Sequence, residues 1–135
     1  MAKDLVSFLQ KNPVDEIEQE IKIPGRLAEF TFKIKPMTQK QFYQYQQIAT
    51  TVIPGKNKDV KFNSGRFSEL VILNHVTYPN FRDANLLSGA GVNTPEEYLN
   101  KFFLAGELSN LTEEISIISG FQTPDIELED EVKNS

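Results

Sequence analysis

His75 is the only histidine in the chain and so the side chain best suited to general acid–base work near neutral pH. It sits within an apolar run of Phe67, Leu70, Val71, Leu73 and Val76, where an imidazole serves packing better than proton transfer. No catalytic role is assigned to it. Glu96-Glu97 and Glu113-Glu114 put carboxylates side by side, but helix neighbours diverge by about 100° and cannot converge on one substrate. Gly89-Ala90-Gly91 lacks the lysine and the preceding strand of a phosphate-binding loop, and Ser64 and Ser88 lack a nucleophile elbow or a partner base. With no cysteine there is no disulfide, thiolate metal site or thiol nucleophile, and a single histidine leaves most transition-metal sites without ligands. An enzyme, a metal and a cofactor are therefore not expected.

Binding chemistry remains. Lys plus Arg number 14 against 19 for Asp plus Glu, a net charge of −5, which opposes association with nucleic-acid phosphates. The richest apolar series lies near the C-terminal end: Tyr98, Phe102, Phe103, Leu104, Leu108, Leu111, Ile115, Ile118 and Phe121. These residues are both core candidates and the candidate partner-binding surface, since they exceed what one small hairpin can cover. Such a surface can receive an amphipathic helix or drive self-association.

The elements that position this series follow from periodicity. Leu5, Phe8 and Leu9 predict a short helix over Asp4 to Gln10, ended by Asn12-Pro13. From Ile17 the period becomes two, with Ile17, Ile21 and Ile23 on one face. Beyond the turn signal Pro24-Gly25, Ala28, Phe30, Phe32 and Ile34 alternate with polar residues. The two runs predict a hairpin that needs helices packed against it. Thr38 and Gln41 fit a capping box opening a helix with Phe42, Tyr45, Ile48, Ala49 and Val52 as its stripe, stopped by Pro54-Gly55 and a polar, mobile loop at Lys56-Asn57-Lys58-Asp59. Asn63 or Ser64 caps a central core helix expected to run to Tyr78-Pro79, and Leu86 and Leu87 anchor a turn after it. Thr94-Pro95-Glu96-Glu97 is a strong helix start, and the run from Leu104 to Ile118 stops at Gly120, with Gly106 bending the join and Phe121 folding back onto the last turn.

At 135 residues the chain predicts one compact domain, placed at residues 1–121, of α+β class: an N-terminal antiparallel hairpin packed on a mainly helical C-terminal part. Residues 122–135 carry five carboxylates against Lys133 alone, so they hold −4 of the charge and leave the domain near neutral at −1. This acidic tail has too little apolar surface to offset its ordering entropy and is expected to be disordered and solubilising. No stretch approaches the roughly 18 apolar residues of a membrane span, and the N-terminal apolar patch is too short for a signal peptide. A soluble, cytoplasmic protein that engages no membrane is expected.

The order of features resembles the XkdN-like tail assembly chaperones of tailed phages and prophages. The likeness runs from the hairpin to Phe121 and rests on Tyr78-Pro79, Asp83, Leu86, Gly91, Pro95, Leu99, the Leu104-Ala105-Gly106-Glu107 turn, Leu111, Ile115 and Gly120-Phe121. Ala105 stands where the family usually has proline, and Leu108 where it often has an aromatic residue. The resemblance implies a protein of the host cytoplasm that binds the tape measure protein before the tail tube polymerises, is absent from the virion and self-associates. It also implies a longer frameshifted form, for which an A-rich stretch encoding Val132-Lys133-Asn134 is the expected slip site. The alternative reading is a structural tail or connector protein retained in the virion. A small acidic DNA mimic ranks below both, because the charge sits in the tail.

Overall fold

A computed structural model describes residues 2–55 and 59–121. The chain begins in helix α1 (Ala2–Lys11), which ends before Asn12 and Pro13, as the sequence predicts. Leu5, Val6, Phe8 and Leu9 of α1 all remain exposed, so its apolar stripe takes no part in the core. A 3-10 turn, Val14–Glu16, leads to strand β1 (Gln19–Ile21), which pairs antiparallel with β2 (Phe32–Ile34), Ile21 opposite Phe32. The predicted hairpin is present but shorter. Ile17 lies outside it and is exposed, and Pro24-Gly25 opens a long connection instead of a tight turn, with Gly25 at φ +102°. Ala28 and Phe30 belong to that connection, and Phe30 points outward where alternation had placed it inward.

Helix α2 (Gln39–Ala49) starts with the predicted capping box: the Thr38 hydroxyl accepts from the Gln41 N–H at 3.2 Å, and the Gln41 side chain accepts from the Thr38 N–H at 2.9 Å. It stops at Ala49, short of Val52. Thr50, Thr51 and Val52 are β-branched, and they leave the helix to form β3 (Thr50–Val52), paired with β4 (Val60–Phe62) in a second, two-stranded sheet that the sequence did not announce. Ile48, assigned to the buried stripe, is exposed. Lys56, Asn57 and Lys58 of the expected polar loop lie outside the described residues.

Helix α3 (Ser64–His75) is capped by Asn63, whose side chain accepts from the Arg66 N–H at 3.0 Å. It is the central helix expected, with Leu70 through Leu73 and His75 all buried. It ends at His75 because Val76-Thr77-Tyr78, a β-branched and aromatic triplet, forms β5 (Val76–Tyr78) on the free side of β2, giving the antiparallel order β1-β2-β5. The connector expected at Leu86-Leu87 is a short helix, α4 (Ala84–Gly89), capped by Asp83.

Helix α5 (Pro95–Phe102) has Thr94 as N-cap and Pro95 in its first turn, as predicted. The join to α6 (Ala105–Ile118) falls at Phe103-Leu104, and Gly106 lies inside the first turn of α6. At the other end Gly120 adopts φ +96° and the Phe121 N–H returns to the Ser116 carbonyl at 3.0 Å, the backbone geometry that glycine permits at a helix stop. Phe121 packs beside Phe42, ring centroids 4.8 Å apart, and stays partly exposed.

The core forms where Ile21, Phe32, Ile34 and Val76 of the three-stranded sheet meet Val71 and Ile72 of α3, Leu99 of α5, and Leu111 and Ile115 of α6. Among the described residues, six helices and a small antiparallel sheet make the fold α+β, with the N-terminal strands and mainly helical C-terminal part expected. Residues 122–135, expected to be a disordered acidic tail, lie outside the described residues.

Candidate functional site

The α5–α6 join is fixed by one buried carboxylate. Glu107, only 5% exposed, accepts from the Leu104 N–H at 2.7 Å and receives the fork of Arg26, Nε and Nη2 each at 2.8 Å from one of its two oxygens. The same Nη2 also donates to the Phe102 carbonyl at 2.8 Å, satisfying an acceptor at the end of α5. Arg26 thus clamps the β1–β2 connection onto the join. Its guanidinium, followed by the Leu104 N–H, holds the Glu107 carboxyl below the usual carboxylate range against the opposing effect of burial, and the pairing raises Arg26 in turn. This gives the Leu104-Ala105-Gly106-Glu107 motif a physical role. Sequence reasoning missed Arg26, whose partner is distant in the chain and has no periodic signal.

The clamp shapes a groove. The β1–β2 connection forms one wall with Leu27 and Phe30, β5 contributes Tyr78, and Tyr98 and Phe103 close it from the helical side over Phe81. Its volume is about 540 Å³, within the range of sites that receive apolar ligands or side chains. The ring centroid of Phe81 lies 5.8 Å from that of Tyr98 and 5.6 Å from that of Phe103, so these three lining rings are contiguous, and Tyr98 continues the row to Phe102 at 4.7 Å outside the groove. Phe30 is 61% exposed, Tyr78 59% and Leu104 59%. Large apolar side chains held this far into solvent by a rigid frame are the usual signature of a docking surface.

The nine residues expected to form one surface are divided by the fold. Tyr98 and Phe103 line the groove, and Phe102 and Leu104 lie exposed beside them on the same turn. Leu111 and Ile115 are fully buried and unavailable to a partner that meets the folded domain. Leu108 and Ile118 are half-buried against the core, and Phe121 lies against α2. A stripe along one helix face cannot distinguish the turns that meet the sheet from those that pass its edge. The exposed aromatics Phe30 and Tyr78 were missed because alternation places Phe30 on the inner face of a strand and Tyr78 reads as the stop of the central helix.

His75 is fully buried, and its Nε2 shares a 2.8 Å hydrogen bond with the Tyr45 hydroxyl, while Nδ1 makes no hydrogen bond. Burial, aided by the charge of Lys35, lowers it to about 4. The structural role expected for this residue matches its place beside α2. A second, more polar depression of about 580 Å³ lies between the starts of α3 and α6. At its edge Arg66 pairs with Glu96 at 3.0 Å, and Asn100 donates to Glu69 at 2.8 Å. These contacts tie α3 to α5. Among the described residues no helix is long and apolar enough to cross a membrane.

The sequence matches, over residues 5–134, the family described as phage XkdN-like tail assembly chaperone protein. It is 24% identical over 139 residues to the phage-like element PBSX protein XkdN of Bacillus subtilis (strain 168), covering 97% of this chain and 94% of that protein. In backbone it is similar to the crystal structure of the protein YqbN, with a TM-score of 0.61 at 20% identity, over 85% of this chain and 94% of the other. That last likeness concerns the fold alone. The family match spans nearly the whole chain, and the chain belongs to the phage XkdN-like tail assembly chaperones.

Proposed function

We propose that this chain acts without catalysis, in the cytoplasm of the bacterial host, by holding apolar helical segments of the tape measure protein until the tail tube forms around it. The observation that carries this reading is the aromatic groove at the Arg26-Glu107 clamp, flanked by exposed Phe102 and Leu104. A long helical protein exposes apolar stripes that aggregate unless covered, and a rigid aromatic groove on a small acidic protein suits a helix presenting residues at i, i+3 and i+4. The partner-binding set that follows is Tyr98, Phe102, Phe103 and Leu104 with Phe30 and Tyr78. Self-association and a longer frameshifted product, extended beyond the acidic residues, belong to the same reading.

A holding protein leaves once the tube closes. Mass spectrometry of purified particles and of the lysate in which they assemble tests this directly. The expected result is the chain abundant in the lysate and absent from the particles. Presence at a fixed ratio to the tube protein in particles would instead make it a structural tail or connector protein.

A further inference from the structure

A second apolar surface lies away from the aromatic groove. On the β3–β4 hairpin, Val52 pairs with Val60 and Thr50 with Phe62, so these four share one face. Val52, Val60 and Phe62 are exposed, although a two-stranded sheet is marginal unless one face is covered. Between this face and α2 runs a shallow groove of about 420 Å³, lined by Tyr43, Gln46, Gln47, Thr50, Val52 and Phe62.

The last described residue, Phe121, connects to this groove through a row of aromatic rings. Ring centroids are 4.8 Å apart for Phe121 and Phe42, 5.8 Å for Phe42 and Phe67, and 5.7 Å for Phe67 and Phe62, a row from the end of α6 to β4. Five extended residues reach about 17 Å, enough to carry the chain from Phe121 to Phe62 by Ile126. The sequence there is Asp125-Ile126-Glu127-Leu128-Glu129, a period-two pattern that puts Ile126 and Leu128 on one face and carboxylates on the other. Charge agrees with this placement. Helix α2 has no acidic residue, and Lys40 stands one turn before Tyr43, which lines the groove, whereas residues 124–129 carry −3.

We infer that residues 124–129 of the acidic tail bind in extended form in the groove between α2 and the β3–β4 hairpin, seating Ile126 and Leu128 against Val52 and Phe62. A segment too polar to fold alone needs only two apolar side chains to use a groove already built by the domain. This is a site distinct from the aromatic groove and does not depend on the identity of the tail protein partner.

The absence of cysteine allows a single spin label on the full chain through Glu131→Cys. In amide NMR spectra the label is expected to remove most of the signal at Gln46, Val52 and Phe62, and the signal is expected to return when Ile126→Asn and Leu128→Asn are added. Equal intensities at these amides with and without the two asparagines would overturn the inference, as would loss centred on Phe30 and Tyr78. Mixing spin-labelled chains at natural isotope abundance with unlabelled isotope-enriched chains decides who supplies the tail. Retained signal in the mixture supports binding within one chain, and equal loss in the mixture contradicts it in favour of a second copy.

Discussion

Arg26 meets Glu107 with both arms of its guanidinium, at 2.8 Å each, across a separation of 81 residues. The pair fastens the β1–β2 connection, where the groove's most exposed aromatic sits, to the α5–α6 join, which begins with the groove residue Phe103. Arg26→Ala and Glu107→Gln are each expected to lower the thermal midpoint by several degrees and to weaken partner capture. A partly exposed arginine contributes less than a buried one, but removing it leaves Glu107 buried with one donor. Glu107 is held below its ordinary value in the folded state, so its contribution is complete above about pH 4.3 and is lost as pH falls through the folded value. Glu96, lowered first by its own backbone N–H, adds to the same acid limb. Thermal midpoints between pH 3 and 7 check this: the acid limb is shallower in Glu107→Gln.

His75 titrates in a different window. Its folded value of about 4 lies below the ordinary histidine value of about 6.5, so the unfolded chain binds the proton more readily between them. Stability is expected to be complete above about pH 6.5, to fall by about 2 kcal/mol toward pH 4, and to level below it. Urea denaturation of His75→Phe, which lacks the titrating group, is expected to show no such slope. Tyr45→Phe removes the hydroxyl from Nε2 and is expected to cost about 1–3 kcal/mol at pH 7.

The core supplies a separate test. Phe32 is buried on the sheet and Leu111 is fully buried on α6. Phe32→Ala or Leu111→Ala is expected to cost about 2–5 kcal/mol, read as a lower urea midpoint at unchanged slope. Phe102→Ser and Leu104→Ser, on exposed positions of the same apolar series, are expected to change stability by less than about 1 kcal/mol.

Which parts were legible in the sequence follows from how local their causes are. Helix starts were readable at Thr38, Asn63 and Thr94 because a cap is satisfied within three residues of itself. The α6 stop was readable because Gly120 supplies the positive φ the turn requires. Strands β3 and β5 were not, since Val52 and Val76 also continue the helical stripes before them, and only pairing with β4 and β2 decides between the two periods. The groove fell between these cases. Tyr98, Phe102, Phe103 and Leu104 stood out as an apolar excess, while Leu111 and Ile115 in the same series went to the core. Phe30 and Tyr78 gained their exposure from the long β1–β2 connection and the short β5, neither of which has a local signal.

Substitutions in the groove separate binding from folding. Phe30→Ser and Tyr78→Ser remove exposed side chains from two walls, so both variants are expected to keep the wild-type thermal midpoint within a few degrees. Each is expected to reduce capture of an apolar helix by at least tenfold, the scale of an aromatic anchor in a desolvated site, measured by titration with purified partner fragments.

Co-expression with overlapping fragments of a tape measure protein, the proposed partner, tests the central claim most directly, scored by fragment solubility and co-purification. The account predicts that at least one helical fragment becomes soluble only with the wild-type chain, co-purifies with it, and is lost with folded Phe30→Ser Phe102→Ser. Equal capture of that fragment by the folded double variant, or no fragment held by the wild-type chain, would contradict it.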